Sequence, residues 1–309
     1  TGRNIRVALF DDGAFLRAGM ESYCTIPFPT GDTKPTHSTN VAAVLHEFAP
    51  DAEIFLLPLM GASDAERLTH AKWIADPANG IDLISCSCII ASTNNAQYWQ
   101  VLKDSGIPMF CAAGNGGKMH VNNNAYVPAS FDWTYAIGGI ADALQAKVSY
   151  SNYGEFLTCM MYTGPYIVST GGMLASLTGT SFCQPQACAL AACVLQAGKE
   201  LGITYTRESL LDFIAANCND YYEPGKDDMS GYGLFVLPDI NKYLEDNAMK
   251  KIEMWIGNKT AFIDGEPATM AVPPKIENGS TLIPIRFVSE ALGCKVEYSG
   301  VEKKITITM

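Results

Sequence analysis

Up to Leu237, apolar residues come in short unbroken blocks separated by stretches with helical period. Ile5–Phe10, Glu53–Leu59, Ile81–Ile90, Ile107–Ala113 and Thr134–Ile140 are such blocks, rich in Ile, Leu, Val and Phe. They read as strands buried on both faces. Between them, Asn40–Leu45, Asp64–Ile74 and Ala96–Asp104 repeat their apolar positions at helical spacing. Further helices are predicted over Ala187–Leu195, Arg207–Asn217 and Pro238–Leu244, with strand-and-turn pattern at Val148–Gly154 and Gly231–Leu237. Strand and helix alternate throughout, which predicts an α/β fold with a largely parallel sheet flanked by helices.

Beyond this point the pattern changes. Residues 245–252 are polar and charged and read as a linker. Short strands follow, with Ile263-Asp-Gly-Glu as a hairpin turn. Thr281–Gly293 reads as one amphipathic helix stopped by Gly293, and Cys294–Tyr298 and Lys303–Met309 close the chain as strands. The boundaries expected are a large domain over 1–247 and a small α+β domain over 253–309.

Charge narrows the function classes. The 309 residues carry a formal net charge of −11, which argues against nucleic acid or an anionic membrane as partner. No apolar run is long enough to span a bilayer, and no basic-then-apolar leader opens the chain. Any pro-segment is therefore expected to lie outside this sequence. The ten cysteines fall mostly inside apolar blocks and read as reduced core thiols. They lack metal spacing, since Cys86 and Cys88 form a single isolated pair and no Cys-x-x-Cys occurs. Such thiols favour a reducing compartment or an anaerobic source.

Four segments carry candidate chemistry. Asp11-Asp12-Gly13 ends the first strand, where a parallel sheet places its site residues. Thr36-His37-Ser38-Thr39 opens a small-residue helix that can pack close to the sheet and aim His37 inward. The other three histidines have weaker surroundings: His46 lies further along that helix, His70 in a polar helix expected to be exposed, and His120 in an Asn-rich loop. Gly114-Asn115-Gly116-Gly117 ends a strand in a sharp turn that leaves the Asn115 amide facing out. Finally, Leu177-Thr-Gly-Thr-Ser181-Phe-Cys-Gln-Pro185 puts a hydroxyl at a helix N-terminus, with Pro185 expected in the first turn. Ser181 can be a helix cap or a nucleophile, and the nucleophile reading needs a histidine, a buried carboxylate and an oxyanion donor elsewhere. All three are present.

In this order and these contexts, the segments resemble the subtilisin-like serine peptidases over about 1–245. Val7-Ala-Leu-Phe-Asp11-Asp-Gly is similar to that family's aspartate motif, and His37-Ser-Thr-Asn-Val-Ala-Ala to its histidine motif. Ala112-Ala-Gly-Asn115 resembles the oxyanion-hole segment, Gly179-Thr-Ser181-Phe-Cys-Gln-Pro185 the serine motif and Gly231-Tyr-Gly-Leu the closing segment. The resemblance implies acyl transfer. Ser181 attacks a peptide carbonyl, His37 takes its proton, and Asp11 orients the imidazole. Asn115 and the Ser181 N–H hold the oxyanion, and losing such a donor typically costs about 100- to 1,000-fold in turnover. Substrate backbone is expected along Ser87, Cys88 and Ile89 and along Ala112, Ala113 and Gly114.

Departures from the motifs matter too. Asp12 stands where the family has Ser or Thr and puts a second carboxylate beside Asp11, where like charges can raise a pKa. Ser38 and Ala43 replace glycines of the histidine motif, and Asn40 replaces its second histidine. Ser87-Cys88-Ile89-Ile90 replaces Ser-Leu-Gly-Gly at the substrate edge, which is expected to narrow the pocket and restrict specificity. No cofactor is expected for the chemistry. Structural calcium is common in the family, but no site can be mapped residue by residue. The implied partner is a peptide or protein substrate, with a pro-segment as a further candidate. The alternatives are a silent subtilase used for binding or regulation, and a transpeptidase or macrocyclase in which an amine resolves the acyl-enzyme.

The C-terminal piece, about 253–309, resembles through its stretch Val272–Gly293 the copper amine oxidase N-terminal-like domain of bacterial surface proteins. No histidine lies beyond His120, so the domain offers no imidazole to copper. The resemblance implies an accessory role, docking to a substrate or cell wall or packing against the protease, and it implies secretion, in tension with the thiols.

Overall fold

The first strand, β1 (Arg6–Asp12), shows how the chain sorts its side chains. Val7 and Leu9 point to one face of a sheet and Ala8 and Phe10 to the other, and all four are fully buried. The chain described here is a computed structural model. It describes residues 1–34, 36–90, 96–120, 127–141, 146–164, 166–170, 173–238, 251–263, 265–292, 294–300 and 302–308. It divides into two units, Thr1–Tyr243 and Leu244–Met309.

The larger unit is built on a sheet of ten described strands. Its central members are β3 (Glu53–Met60), β1, β4 (Leu83–Cys86), β5 (Met109–Ala112), β6 (Tyr135–Ala141) and β8 (Leu157–Tyr162), all in parallel register with their neighbours. β2 (Cys24–Thr25) edges one side, and β11 (Cys218–Asn219) and β12 (Leu234–Phe235) the other. β7 (Ala146–Lys147) adds a short antiparallel pair to β6. Helices cover both faces. On the Val7–Leu9 face lie α1 (His37–Phe48), α4 (Thr180–Leu201) and α5 (Arg207–Ala216). On the Phe10 face lie α2 (Asp64–Ala75) and α3 (Gln97–Asp104), where Tyr98, Trp99 and Leu102 fill the core. Ala187, Cys188, Ala189, Ala191 and Ala192 of α4 are fully buried, and such small side chains let the helix lie close to the sheet.

Several expectations are corrected. β4 stops at Cys86, so the strand expected to reach Ile90 gives way to irregular backbone at Ser87. Strand β8 and the hairpin of β9 (Tyr166–Thr170) and β10 (Met173–Leu177) fall in a stretch for which the sequence pattern gave no element. The expected helix over Pro238–Leu244 lies mostly outside the described residues, as does the linker. Pro185 is the sixth residue of α4 rather than a member of its first turn.

Among its described residues, the second unit carries three antiparallel groups. These are β13 (Ile252–Met254) with β14 (Thr260–Ile263) and β15 (Glu266–Thr269), β16 (Lys275–Glu277) with β17 (Ser280–Leu282), and β18 (Lys295–Ser299) with β19 (Lys304–Thr308). The expected helix over Thr281–Gly293 is shorter. Its first residues pair as β17, Pro284 is the N-cap, and α6 spans Ile285–Ala291. Proline cannot continue a helix backwards without a clash, which explains the late start. Gly293 lies outside the described residues.

Candidate active site

β1 brings the first carboxylate into place. Its register against β3 slips by one residue between Asp11, opposite Pro58, and Asp12, opposite Met60. Pro58 has no N–H to give the ladder, and a slip of this kind re-aims side chains at the strand end. Asp11 is fully buried. Its Oδ1 accepts from the Asp12 N–H at 2.8 Å and lies 2.9 Å from His37 Nδ1, while Oδ2 accepts from the Ser87 N–H at 2.9 Å. A buried carboxylate is tolerated when it is hydrogen-bonded, and here both oxygens are taken.

His37 is the first residue of α1, behind the capping box of Thr36 and Thr39. With Nδ1 donating to Asp11, Nε2 carries the lone pair and faces the partly exposed side of the ring. Burial pushes its pKa down. The hydrogen bond to Asp11 and the charges of Asp11 and Asp12 together outweigh burial, and the pKa stands above the ordinary value. Asp12 also has a structural task, because its Oδ1 accepts from the Ser38 N–H at 2.8 Å. It thus satisfies an orphan donor at the start of α1 from outside the helix, where the dipole favours a negative charge. A prediction follows for Asp12→Asn. Removing one of the charges that raise the His37 pKa lowers it, so the acidic limb of a kcat/KM profile moves to lower pH.

α4 positions the hydroxyl. Gly179, its N-cap, has φ +121°, and a Cβ there would meet the Asn115 amide nitrogen at 3.3 Å. The glycine lets Asn115 lie against the helix start. There the Thr180 N–H and Oγ1 both donate to Asn115 Oδ1 at 2.9 Å, which leaves its NH2 as the outward donor. Ser181, next in the chain, is half-buried. Pro185 has no N–H for the Ser181 carbonyl four residues earlier, and the Ser87 hydroxyl donates to that carbonyl at 2.8 Å instead. In return Ser181 Oγ donates to the Ser87 carbonyl at 3.2 Å rather than to His37. Phe182 lies against the imidazole with ring centroids 5.7 Å apart. Ser87 therefore touches Asp11 through its N–H and Ser181 through its carbonyl and hydroxyl, a link no side-chain motif reveals.

The other expected substrate contacts divide. Cys88 and Ile89 are half-buried, and Ile90 is buried in the core. Ala112 and Ala113 are buried side chains. The Ala113 carbonyl accepts from Asn152 Nδ2, and the Gly114 N–H and carbonyl bond Thr180 Oγ1 and the Asn152 N–H. His70, expected to be exposed, is buried at 6% exposure, because Nδ1 reaches the Pro58 carbonyl at 2.8 Å and Phe28 covers its ring.

Thiols offer no rival nucleophile here. All ten cysteines are free. Hydrogen bonding to Cys86, then burial and the charge of Asp11, raise the Cys88 pKa well above the ordinary value, and burial pushes Cys183 up to about 12. Donor atoms of Asp11, Asp12 and His37 lie within 4.8 Å of one another, close enough to face one cation. The hydrogen bonds of Asp11 and Asp12 already occupy much of that set.

Residues 30–233 match the model of the subtilase family. The chain belongs to the subtilase family. It is a serine protease, a hydrolase, with the mixed, mostly parallel sheet that subtilases share. Residues 243–307 match a second model, the copper amine oxidase N-terminal domain. Among solved structures, the prenylagaramide maturation protease PagA is 21% identical, with TM-score 0.62, over 78% of this chain and 94% of that one. The patellamide maturation protease PatA is 19% identical, with TM-score 0.62, over 79% and 97%. A cold-adapted subtilisin-like serine proteinase is 17% identical, with TM-score 0.61, over 77% and 90%. The subtilase match begins after β1, so it does not include Asp11. The contact with His37 is what joins that strand to the site. Among the described residues, no helix is long and apolar enough to cross a membrane.

Proposed function

We propose that this subtilase cleaves a precursor peptide or protein at restricted sites, with Ser181 as nucleophile, His37 as general base and Asp11 as its orienting carboxylate. The observation that carries the reading is the 2.9 Å contact of Asp11 with His37 Nδ1, joined to Ser181 through Ser87. The contact holds the tautomer that leaves Nε2 as acceptor. Rotation about the Ser181 Cα–Cβ bond carries Oγ from the Ser87 carbonyl toward that acceptor, a tightening common when substrate binds. As Oγ attacks the scissile carbonyl, the proton passes to Nε2 and the imidazolium is stabilised by Asp11 and Asp12. The Asn115 NH2 and the Ser181 N–H at the start of α4 receive the oxyanion. His37 then gives the proton to the leaving amine, and water, or an amine of the substrate, resolves the acyl-enzyme. No step needs a metal ion or cofactor.

Maturation of a precursor is favoured because the similar structures PagA and PatA are described as maturation proteases. The half-buried Cys88–Ile89 edge supports restricted cutting. One observation favours catalytic silence instead: the Ser181 hydroxyl rests on Ser87, not on His37. A fluorophosphonate probe separates the two readings. The intact protein is expected to be labelled and His37→Ala is not. Labelling of neither means silence. Product masses from a candidate precursor then distinguish hydrolysis from amine transfer by the presence or absence of one added water.

A further inference from the structure

Gln184 follows Ser181 by three residues, on the same face of α4, and is fully buried. The carbonyl end of its amide lies 2.7 Å from Ser87 Oγ and 3.0 Å from Ser85 Oγ. Two hydroxyls from alternate positions, Ser85 in β4 and Ser87 just beyond it, thus meet one side chain of the helix that carries the serine. The other end of the amide, Nε2, is buried without a hydrogen-bond partner among the described residues.

The Ser87 hydroxyl has one proton and two oxygens within reach, the Ser181 carbonyl at 2.8 Å and Gln184 Oε1 at 2.7 Å. Given to either, the proton leaves two acceptors facing each other across the second contact. Both N–H donors of the amide meanwhile go unpaired in the core, a costly arrangement. An amide turned end for end fills the same space. Its NH2 then donates to Ser85 Oγ and Ser87 Oγ, and the Ser87 proton belongs to the Ser181 carbonyl alone. A single buried oxygen is left over instead of two buried donors. That carbonyl is the one Pro185 deprives of its helical donor. The first turn of α4, with the Ser181 N–H and Oγ, is then held by two hydrogen bonds in series, each strengthening the other.

We propose that Gln184 is a positioning residue for Ser181, acting as a hydrogen-bond donor through the Ser87 hydroxyl. The inference rests on the peptidase reading above. Being fully buried, Gln184 does not meet the substrate. It fixes the direction of the Ser87 proton, and with it the backbone from which the nucleophile and one oxyanion donor project.

The rate of fluorophosphonate labelling tests this without a known substrate, with the maximal rate and the affinity for the probe measured separately. Gln184→Met, similar in volume but without a donor, is expected to lower the maximal rate about ten-fold, the scale of one buried hydrogen bond, and to leave probe affinity unchanged. Ser87→Ala lowers the rate by a similar factor, and adding Gln184→Met to it lowers the rate no further. Gln184→Glu separates a donor from an acceptor, and it carries the test if the methionine variant does not fold. As a carboxylate it takes the Ser87 proton, and labelling is slow. As a neutral acid it donates, so its rate relative to the unsubstituted protein at the same pH recovers on acidification. Burial raises a carboxyl pKa, which places that recovery above the ordinary glutamate range. An unchanged rate in Gln184→Met overturns the proposal. So does a loss that adds in full to that of Ser87→Ala, or a Gln184→Glu ratio that stays flat with pH. Absence of labelling in the unsubstituted protein removes this inference together with the peptidase reading, whereas labelling that Gln184→Met leaves unchanged removes this inference alone.

Discussion

Ser181→Ala lowers kcat/KM for a cleaved peptide by about a million-fold, the scale at which a serine nucleophile acts together with its base. The fold has little stake in the hydroxyl. Its one hydrogen bond goes to the Ser87 carbonyl, and Ser181 is partly exposed, so water can replace it. Alanine is also the best residue for the first turn of a helix that already has Gly179 as N-cap. The variant therefore keeps its circular dichroism and melting temperature while losing turnover. Activity near that of the intact protein would place the nucleophile elsewhere.

Asp11→Asn is expected to lower kcat by about ten-thousand-fold, the loss seen when a triad carboxylate becomes an amide. The side chain accepts three N–H groups, two on Oδ1 and one on Oδ2. An amide has one oxygen. If it faces His37, the NH2 points at the Ser87 N–H, and two buried donors confront each other. If it turns, the NH2 donates to His37 Nδ1, and the proton moves to Nε2, which can no longer accept from Ser181. Both arrangements remove the Asp11 charge that helps raise the His37 pKa, and the second also removes the favourable hydrogen bond, so the pKa falls. Unlike the serine variant, this one also loses stability, by about 1–3 kcal/mol for an unpaired buried donor. Turnover and thermal melting measured together separate the two effects: a kcat loss without a lower melting temperature would show that Asp11 does not hold the strand end.

Much of the sheet was legible because buried parallel strands write themselves as unbroken apolar blocks. Val7–Phe10 is such a block, and the small residues of α4 and α1 marked the helices packed closely on it. The candidate chemistry was legible for a similar reason. Asp11, Asn115 and Ser181 each sit at a strand end or helix start, where glycine and small residues punctuate the chain. What was hidden depends on main-chain register rather than residue type. Nothing in the letters tells that the Ser87 N–H and carbonyl face Asp11 and Ser181, because any residue has those groups. Pro185 suggested a first turn, since tertiary capping of the Ser181 carbonyl by the Ser87 hydroxyl, distant in sequence, is invisible locally. His70 looked exposed because its helix is polar, yet one carbonyl and one phenyl ring suffice to bury it. In the second unit, Pro284 marked a helix start that the amphipathic pattern overran.

The sheet order has a consequence for the life of the chain. Asp11 lies on a strand flanked by β3 and β4, and the serine arrives with a helix that begins at Thr180. Pairings of such long sequence separation form late and slowly. On the proposed mechanism, a chain emerging from the ribosome carries Asp11 and His37 before Ser181, and the three meet only once most of the sheet has closed. The order of the segments along the chain thus delays assembly of the proposed site until late in folding.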